Sequence, residues 1–309
     1  RDTAQNIHIV VNALELRINA IGRGLRDHTE IRRRRRPDDR IHPAEAEIDQ
    51  HQADREDDAD EQRNDRRPEA NPERFAYFGD LHVHTTYSFD AFAFGTLATP
   101  YDAYRYALGE PILHPAGFEV QLRQPLDFYA VTDHAMFLGV AAAAGDTNTD
   151  FSKTEVAEPL NDLNADGNRG LLSVLPRVQV FSNFLPNLAS GIRDGSIQQE
   201  DVLDITRSAW QDIINTADLF NDPGRFTTFV AYEYTTSSDD RGNLHRNVIF
   251  KGSDTLPAVP FSRFHSQNPE DLWIWMDGLR EQGIESLAIP HNSNGSNGQM
   301  FKMENWAGD

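Results

Sequence analysis

The stretch Asp80-Leu81-His82-Val83-His84-Thr85-Thr86-Tyr87-Ser88-Phe89-Asp90 places two of the chain's 11 histidines one residue apart, with an aspartate at each end. Side chains at i and i+2 of an extended segment point to one face. His82 and His84 can therefore reach one point in space, as two ligands of a metal ion do. A solitary histidine is more often a surface or satisfied core residue. The reading depends on whether further ligands follow.

They follow at the ends of apolar runs. "LDFYAVTDH" (126–134) closes on Asp133 and His134, "FTTFVAYEYTT" (226–236) carries Glu233, "LHRNVIFKG" (244–252) holds His245 within a strand, and "SLAIPHNSN" (286–294) delivers His291. "RFAYFGDLHVHT" (74–85) reads as a buried strand ending at polar residues. Helical patterns lie between these runs. Thr99 is a natural N-cap with Pro100 at the first helical position, opening a helix to about Leu108. Residues 200–220 show helical spacing at Val202, Ile205, Trp210, Ile213, Ile214 and Leu219, and 269–282 reads as another helix. Ser237 to Asn243 reads as a polar turn, and about 137–199, rich in Asn, Asp, Gly and Ala, as an insertion with helical pieces. Strand, ligand residue, helix and repeat predict an α/β fold with a mainly parallel sheet or barrel. Its active site would gather at the C-terminal strand ends.

Imidazole and carboxylate donors suit zinc, manganese or iron. There are too many for one tetrahedral ion, so two or three divalent metal ions are expected. Asp90 is a further candidate ligand. Asp80 and Asp133 are candidates to cap a turn, satisfy backbone amides or orient a ligand histidine. His8, His28, His42, His51, His114 and His265 are read as ordinary histidines.

Taken together these motifs resemble the PHP superfamily, named for polymerase and histidinol phosphatase. "DLHVHTTYSFD" and "AVTDH" look like its first two motifs, "YEYT" with "LHRN" like the third, and "IPHN" like the next. The version "YFGDLHVHTTYSFDAFAFGT" with "PLDFYAVTDHAMFLG" is most similar to a bacterial PHP-like family of unknown function. The resemblance covers 75–309. It implies a distorted (β/α)7 TIM-like barrel with a trinuclear centre, ligated by His82, His84, His134, Glu233, His245 and His291, with Glu233 bridging two metals. Asp90 stands where many relatives have a histidine. The last motif, Asp-x-His, is absent, and the strands before Asp309 are too few to close a barrel, so the sequence reads as a fragment.

The implied activity is metal-dependent hydrolysis of the phosphoesterase type, on an anionic small-molecule ester. His291, Asp90 or Asp133 would protonate the leaving oxygen, and Arg246 would grip the anionic group bidentately or form an ordinary ion pair. The alternatives are hydrolysis of a non-phosphorus ester or amide on the same metals, and a metal-binding module without turnover.

Composition narrows the field. The 309-residue chain has no cysteine, which excludes disulfides, thiolate catalysis and Cys-ligated zinc. Residues 1–74 hold 15 of its 29 Lys and Arg, all arginine, and five of these run from Arg32 to Arg36. So polar a segment reads as a disordered or mis-called extension, the first methionine being Met136, with at most a short helix near Ile7 to Ile21. The formal charge is −20 for the whole chain and about −17 for 75–309. Such acidity argues against general nucleic-acid binding. No apolar run approaches the roughly 20 residues of a membrane span. A soluble protein of cytoplasm or periplasm fits, and the sequence does not choose between them.

Overall fold

The computed structural model describes residues 76–169 and 174–308. The readings made for 1–74, including the helix near Ile7 and the arginine run, lie outside the described residues.

The fold is a mixed α/β arrangement built on two three-stranded sheets, and no closed barrel is formed among the described residues. The first sheet is parallel, in the order β1 (Gly79–Asp80), β4 (Phe128–Tyr129), β5 (Thr227–Thr228). Its pairing outlasts these short strands. Thr132 N–H donates to the Val83 carbonyl at 2.7 Å and Glu233 N–H to the Asp133 carbonyl at 2.9 Å, so three segments run side by side towards the histidines. The second sheet is antiparallel, in the order β6 (Ala231–Tyr234), β9 (Arg246–Phe250), β10 (Ser286–Pro290). Since β10 and β6 each oppose β9, they share one direction. The expectation of a mainly parallel sheet therefore holds for the first sheet and not for the second. The short hairpins β2 (Ile112–Leu113) with β3 (Glu119–Val120) and β7 (Ser237–Ser238) with β8 (Gly242–Asn243) complete the strands. The last pair lies within the stretch read as a simple polar turn.

The strand expected at 74–85 is regular only at Gly79–Asp80, and it is exposed there. Tyr77 and Phe78 are 67% and 59% exposed. An edge position explains the difference, because among the described residues β1 pairs on one side only and the apolar residues before it have no neighbouring strand. By contrast β6 and β9 are buried along their whole length.

Helices form where capping and spacing favour them. In α2 (Pro100–Ala107) the Thr99 side chain accepts from Asp102 N–H while the Asp102 side chain accepts from Thr99 N–H, a reciprocal cap preceding the expected amphipathic helix. In α5 (Gln199–Phe220) Val202, Trp210, Ile213 and Ile214 are buried as their spacing requires, whereas Leu219 is exposed. In α6 (Pro269–Glu281) Asn268 caps Glu270 N–H and Pro269 fills the first position.

Helices α2, α5 and α6 pack Tyr104, Trp210 and Leu272 against outward-facing Tyr232, Tyr234 and Phe250. On the opposite face of the strands a small cluster of Ala130, Ala231 and Ile249, with Leu81, fills little volume. The short α1 (Phe89–Ala93) joins α3 (Val140–Gly145) and α4 (Val174–Asp194), from the section read as an insertion, in a second core around Phe89, Phe92, Phe137, Leu160 and Leu188. Among the described residues no helix is long and apolar enough to cross a membrane.

Candidate metal centre

Five imidazole rings converge on one buried carboxylate. Glu233 is 1% exposed and sits on the inner face of β6, since its neighbours Tyr232 and Tyr234 turn outward into the helical core. His134 ends the strand beside it, paired to Glu233 through a parallel bridge. His82 and His84 follow β1, and the alternation read from the sequence brings both to the same oxygen. Glu233 Oε2 lies 2.9 Å from His84 Nε2 and 3.6 Å from His82 Nε2. Oε1 faces the other way, 2.7 Å from His245 Nδ1 and 3.4 Å from both His291 Nε2 and His134 Nδ1. His291 follows the C-terminal end of β10. His245 stands immediately before β9 rather than inside it, and because β9 is antiparallel its start lies at the same edge as the ends of β6 and β10.

Asp90, in α1, completes the group. Its Oδ2 is 3.4 Å from His134 Nε2 and its Oδ1 is 3.8 Å from His84 Nδ1. The ligand-type atoms fall into three sets, each within 4.8 Å: His82, His84 and Glu233; His84, Asp90 and His134; Glu233, His245 and His291. His84 and Glu233 are shared between sets.

Burial and close mutual approach set the protonation of these groups. Burial and the neighbouring His291 and His84 rings push His82 down to about 4. Burial also disfavours a charged His134, but Glu233 and Asp90 outweigh it and raise that ring to about 9. Glu233 is opposed by its own burial, yet His134, His245, His291 and His84 hold it well below the carboxylate range. Asp90 is held low in the same way by His134 and His84. The His82 and His84 Nε2 atoms are only 3.1 Å apart and both face Glu233 Oε2. Acceptor atoms so placed need protons or a metal ion between them. Imidazole and carboxylate donors in this number fit zinc, manganese or iron.

Other residues singled out in the sequence lie differently. Asp133 is fully buried, and its oxygens accept from Thr85 N–H at 2.6 Å, the Thr85 hydroxyl at 2.6 Å and the Ser88 hydroxyl at 2.7 Å. It reaches no ligand set and orients the motif from behind, so the structure gives it no access to a leaving group. Asp80 accepts from His82 N–H at 2.9 Å, a turn-capping contact. Arg246 occupies the opposite face of β9 from Asn247. Its guanidinium is buried against the Leu244 carbonyl, Met300 Sδ and Trp273, on the face of β9 turned away from Glu233. A substrate grip by Arg246 does not fit this placement. His114 stacks on Phe118 and His265 on Phe261, outside the sets.

Three hydroxyl groups escaped the sequence reading. Ser88 Oγ lies 2.9 Å from His84 Nδ1, Thr235 Oγ1 touches His134 Nδ1, and Ser237 Oγ lies 2.9 Å from His245 Nε2. A partial signal existed, since Glu233, Thr235 and Ser237 follow the same period of two that identified His82 and His84.

The family model described as "Protein of unknown function (DUF3604)" matches residues 71–309, a span that contains every residue of the three sets. The chain belongs to the DUF3604 family. No curated protein and no solved structure matches the chain. The chemistry of this DUF3604 chain therefore rests on its own geometry.

Proposed function

We propose that the chain is a metal-dependent hydrolase of the phosphoesterase type, with a polynuclear centre and a PHP-like barrel architecture. The observation that carries this reading is the position of Glu233. It is a buried carboxylate with one oxygen turned to His82 and His84 and the other to His245 and His291, the arrangement expected of a bridge between two ions. The resemblance of the motifs to the PHP superfamily supports it. So does the topology, with His82, His134, Glu233 and His291 at or beyond the C-terminal ends of strands that share one edge.

His82, His84 and Glu233 would hold one ion, and Glu233, His245 and His291 a second. His84, Asp90 and His134 mark a further position. When bound, divalent ions at these groups supply Lewis acidity, making water nucleophilic at neutral pH and neutralising charge on an ester oxygen. The protein orients the ligands and excludes bulk water. Phe89 packs on the His134 ring with centroids 5.2 Å apart, and Glu233 is sealed beneath the rings. Asp90, held ionised by His134 and His84, is not placed to donate a proton. His291 turns its Nε2 to Glu233 Oε1 at 3.4 Å, so in this arrangement it would serve as a ligand rather than as the acid.

The test is a panel of phosphate, sulfate and carboxylic esters and amides, run on metal-stripped protein and after reloading with zinc, manganese or iron. Metal-restored cleavage of a phosphoester, absent in Glu233→Ala, is expected. Metal-restored cleavage of only a carboxylic or sulfate ester would replace phosphorus as the reacting centre. Metal binding with no turnover across the panel would leave a binding module.

A further inference from the structure

We infer that Ser88 and Asp133 form a hydrogen-bond relay that fixes the His84 ring with its proton on Nδ1 and its Nε2 lone pair turned into the centre. Counting protons at one hydroxyl is enough to see it. Ser88 Oγ has three neighbours: Asp133 Oδ1 at 2.7 Å, His134 backbone N–H at 3.0 Å and His84 Nδ1 at 2.9 Å. A serine hydroxyl offers one proton and two lone pairs. His134 N–H can only donate, so it occupies one lone pair. Asp133 Oδ1 already accepts from Thr85 N–H at 2.6 Å, another obligate donor, which marks that oxygen as an acceptor. The Ser88 proton goes to Asp133 Oδ1. One lone pair then remains for His84, and Nδ1 must carry the proton.

The consequence reaches the ligand sets. With Nδ1 protonated, His84 can ligate only through Nε2, the atom 2.9 Å from Glu233 Oε2 and 3.1 Å from His82 Nε2, and the further position is left to Asp90 and His134. Ser88 and Asp133 are thus positioning residues, sealed from solvent with 0% exposure each. They decide which histidine nitrogen faces the ion. Partners of this kind typically change metal affinity by about 10- to 100-fold when removed. The tautomer assignment stands without any metal, whereas its effect on affinity rests on the proposed metal centre.

The test uses the full chain as wild type, Ser88→Ala and Asp133→Asn, with folding checked by circular dichroism. Histidine-ring nitrogen NMR on metal-stripped protein should show a protected His84 Nδ1–H in the wild type that is lost in Ser88→Ala. Asp133→Asn should retain it, because its amide oxygen still accepts from Thr85 N–H and Ser88 while the amide nitrogen faces the Thr85 hydroxyl. Zinc titration against a chromogenic chelator should show affinity lowered at least tenfold in Ser88→Ala and less in Asp133→Asn. A Ser88→Ala protein that kept both the protected Nδ1–H and the wild-type zinc affinity would overturn the relay. A wild type that showed the Nδ1–H signal but bound no zinc would sink the metal reading and leave the relay standing.

Discussion

Glu233 and the rings around it stand or fall together. Replacing the carboxylate by an amide in Glu233→Gln keeps its shape but removes the charge that faces His84 at 2.9 Å and His245 at 2.7 Å. Loss of at least one ion per chain is expected, read by metal analysis; unchanged stoichiometry would remove Glu233 from the ligand set. The metal-free protein should also show a pH optimum of stability. His134, raised to about 9 from 6.5, contributes stability that is complete below pH 6.5 and lost as pH rises through about 9. His82, lowered to about 4, has the opposite sign, so stability falls as pH drops from 6.5 towards 4. The depressed Glu233 adds to the acid loss. Thermal midpoints of metal-stripped protein should therefore be highest near pH 6.5, and a midpoint rising steadily to pH 9 would contradict the His134 environment. At this scale the clustered histidines and Glu233 were legible, because strand period and residue type single them out. Asp133 was ambiguous and Ser88 silent, since a serine four residues from a histidine carries no pattern until the chain turns back on itself.

Elements hold these side chains through contacts that sequence expresses unevenly. The cap at Thr99 was readable, and Thr99→Ala should cost about 1 kcal/mol by denaturant titration. The tie between α1 and the 137–199 section was not. Arg177 is buried and donates to the carbonyls of Ala93, Leu163 and Asn168 and to Asn164 Oδ1 at 2.7–3.0 Å. Ala93 closes the helix that carries Asp90, so the insertion fixes one wall of the centre. Arg177→Met would leave these acceptors buried without donors and should cost about 2–4 kcal/mol, seen as a lower unfolding midpoint; an unchanged midpoint would mean the section is held by its apolar contacts alone. Gly242 shows a second such tie. Its φ is +66° and an added Cβ would lie 2.3 Å from the Gly295 carbonyl. Only glycine lets the β7–β8 hairpin, which carries Ser237, approach the loop after His291 this closely.

Across the whole molecule the two sheets divide the work. The first sends His82, His84 and His134 to a common edge, and the second brings Glu233, His245 and His291 to meet them. Asn247 Nδ2 spans the interior to the Leu81 carbonyl at 2.7 Å, tying the two sheets beneath the centre. The α/β class was visible in the alternation of strands and helices. The antiparallel course of β9 was not, because a buried strand reads the same in either direction. The edge exposure of Tyr77 and Phe78 was hidden for a similar reason: an apolar run reports the capacity to be buried, while a neighbouring strand decides whether it is. Convergence of five histidines, from positions 82 to 291, on one carboxylate as a metal centre is the central claim, and metal content per chain tests it most directly. Mass spectrometry of purified full-length chain, beside a His82→Ala/His84→Ala control, should find two or three transition-metal ions per chain and a clear loss in the control. Folded protein that binds no metal after exposure to zinc, manganese and iron would contradict it.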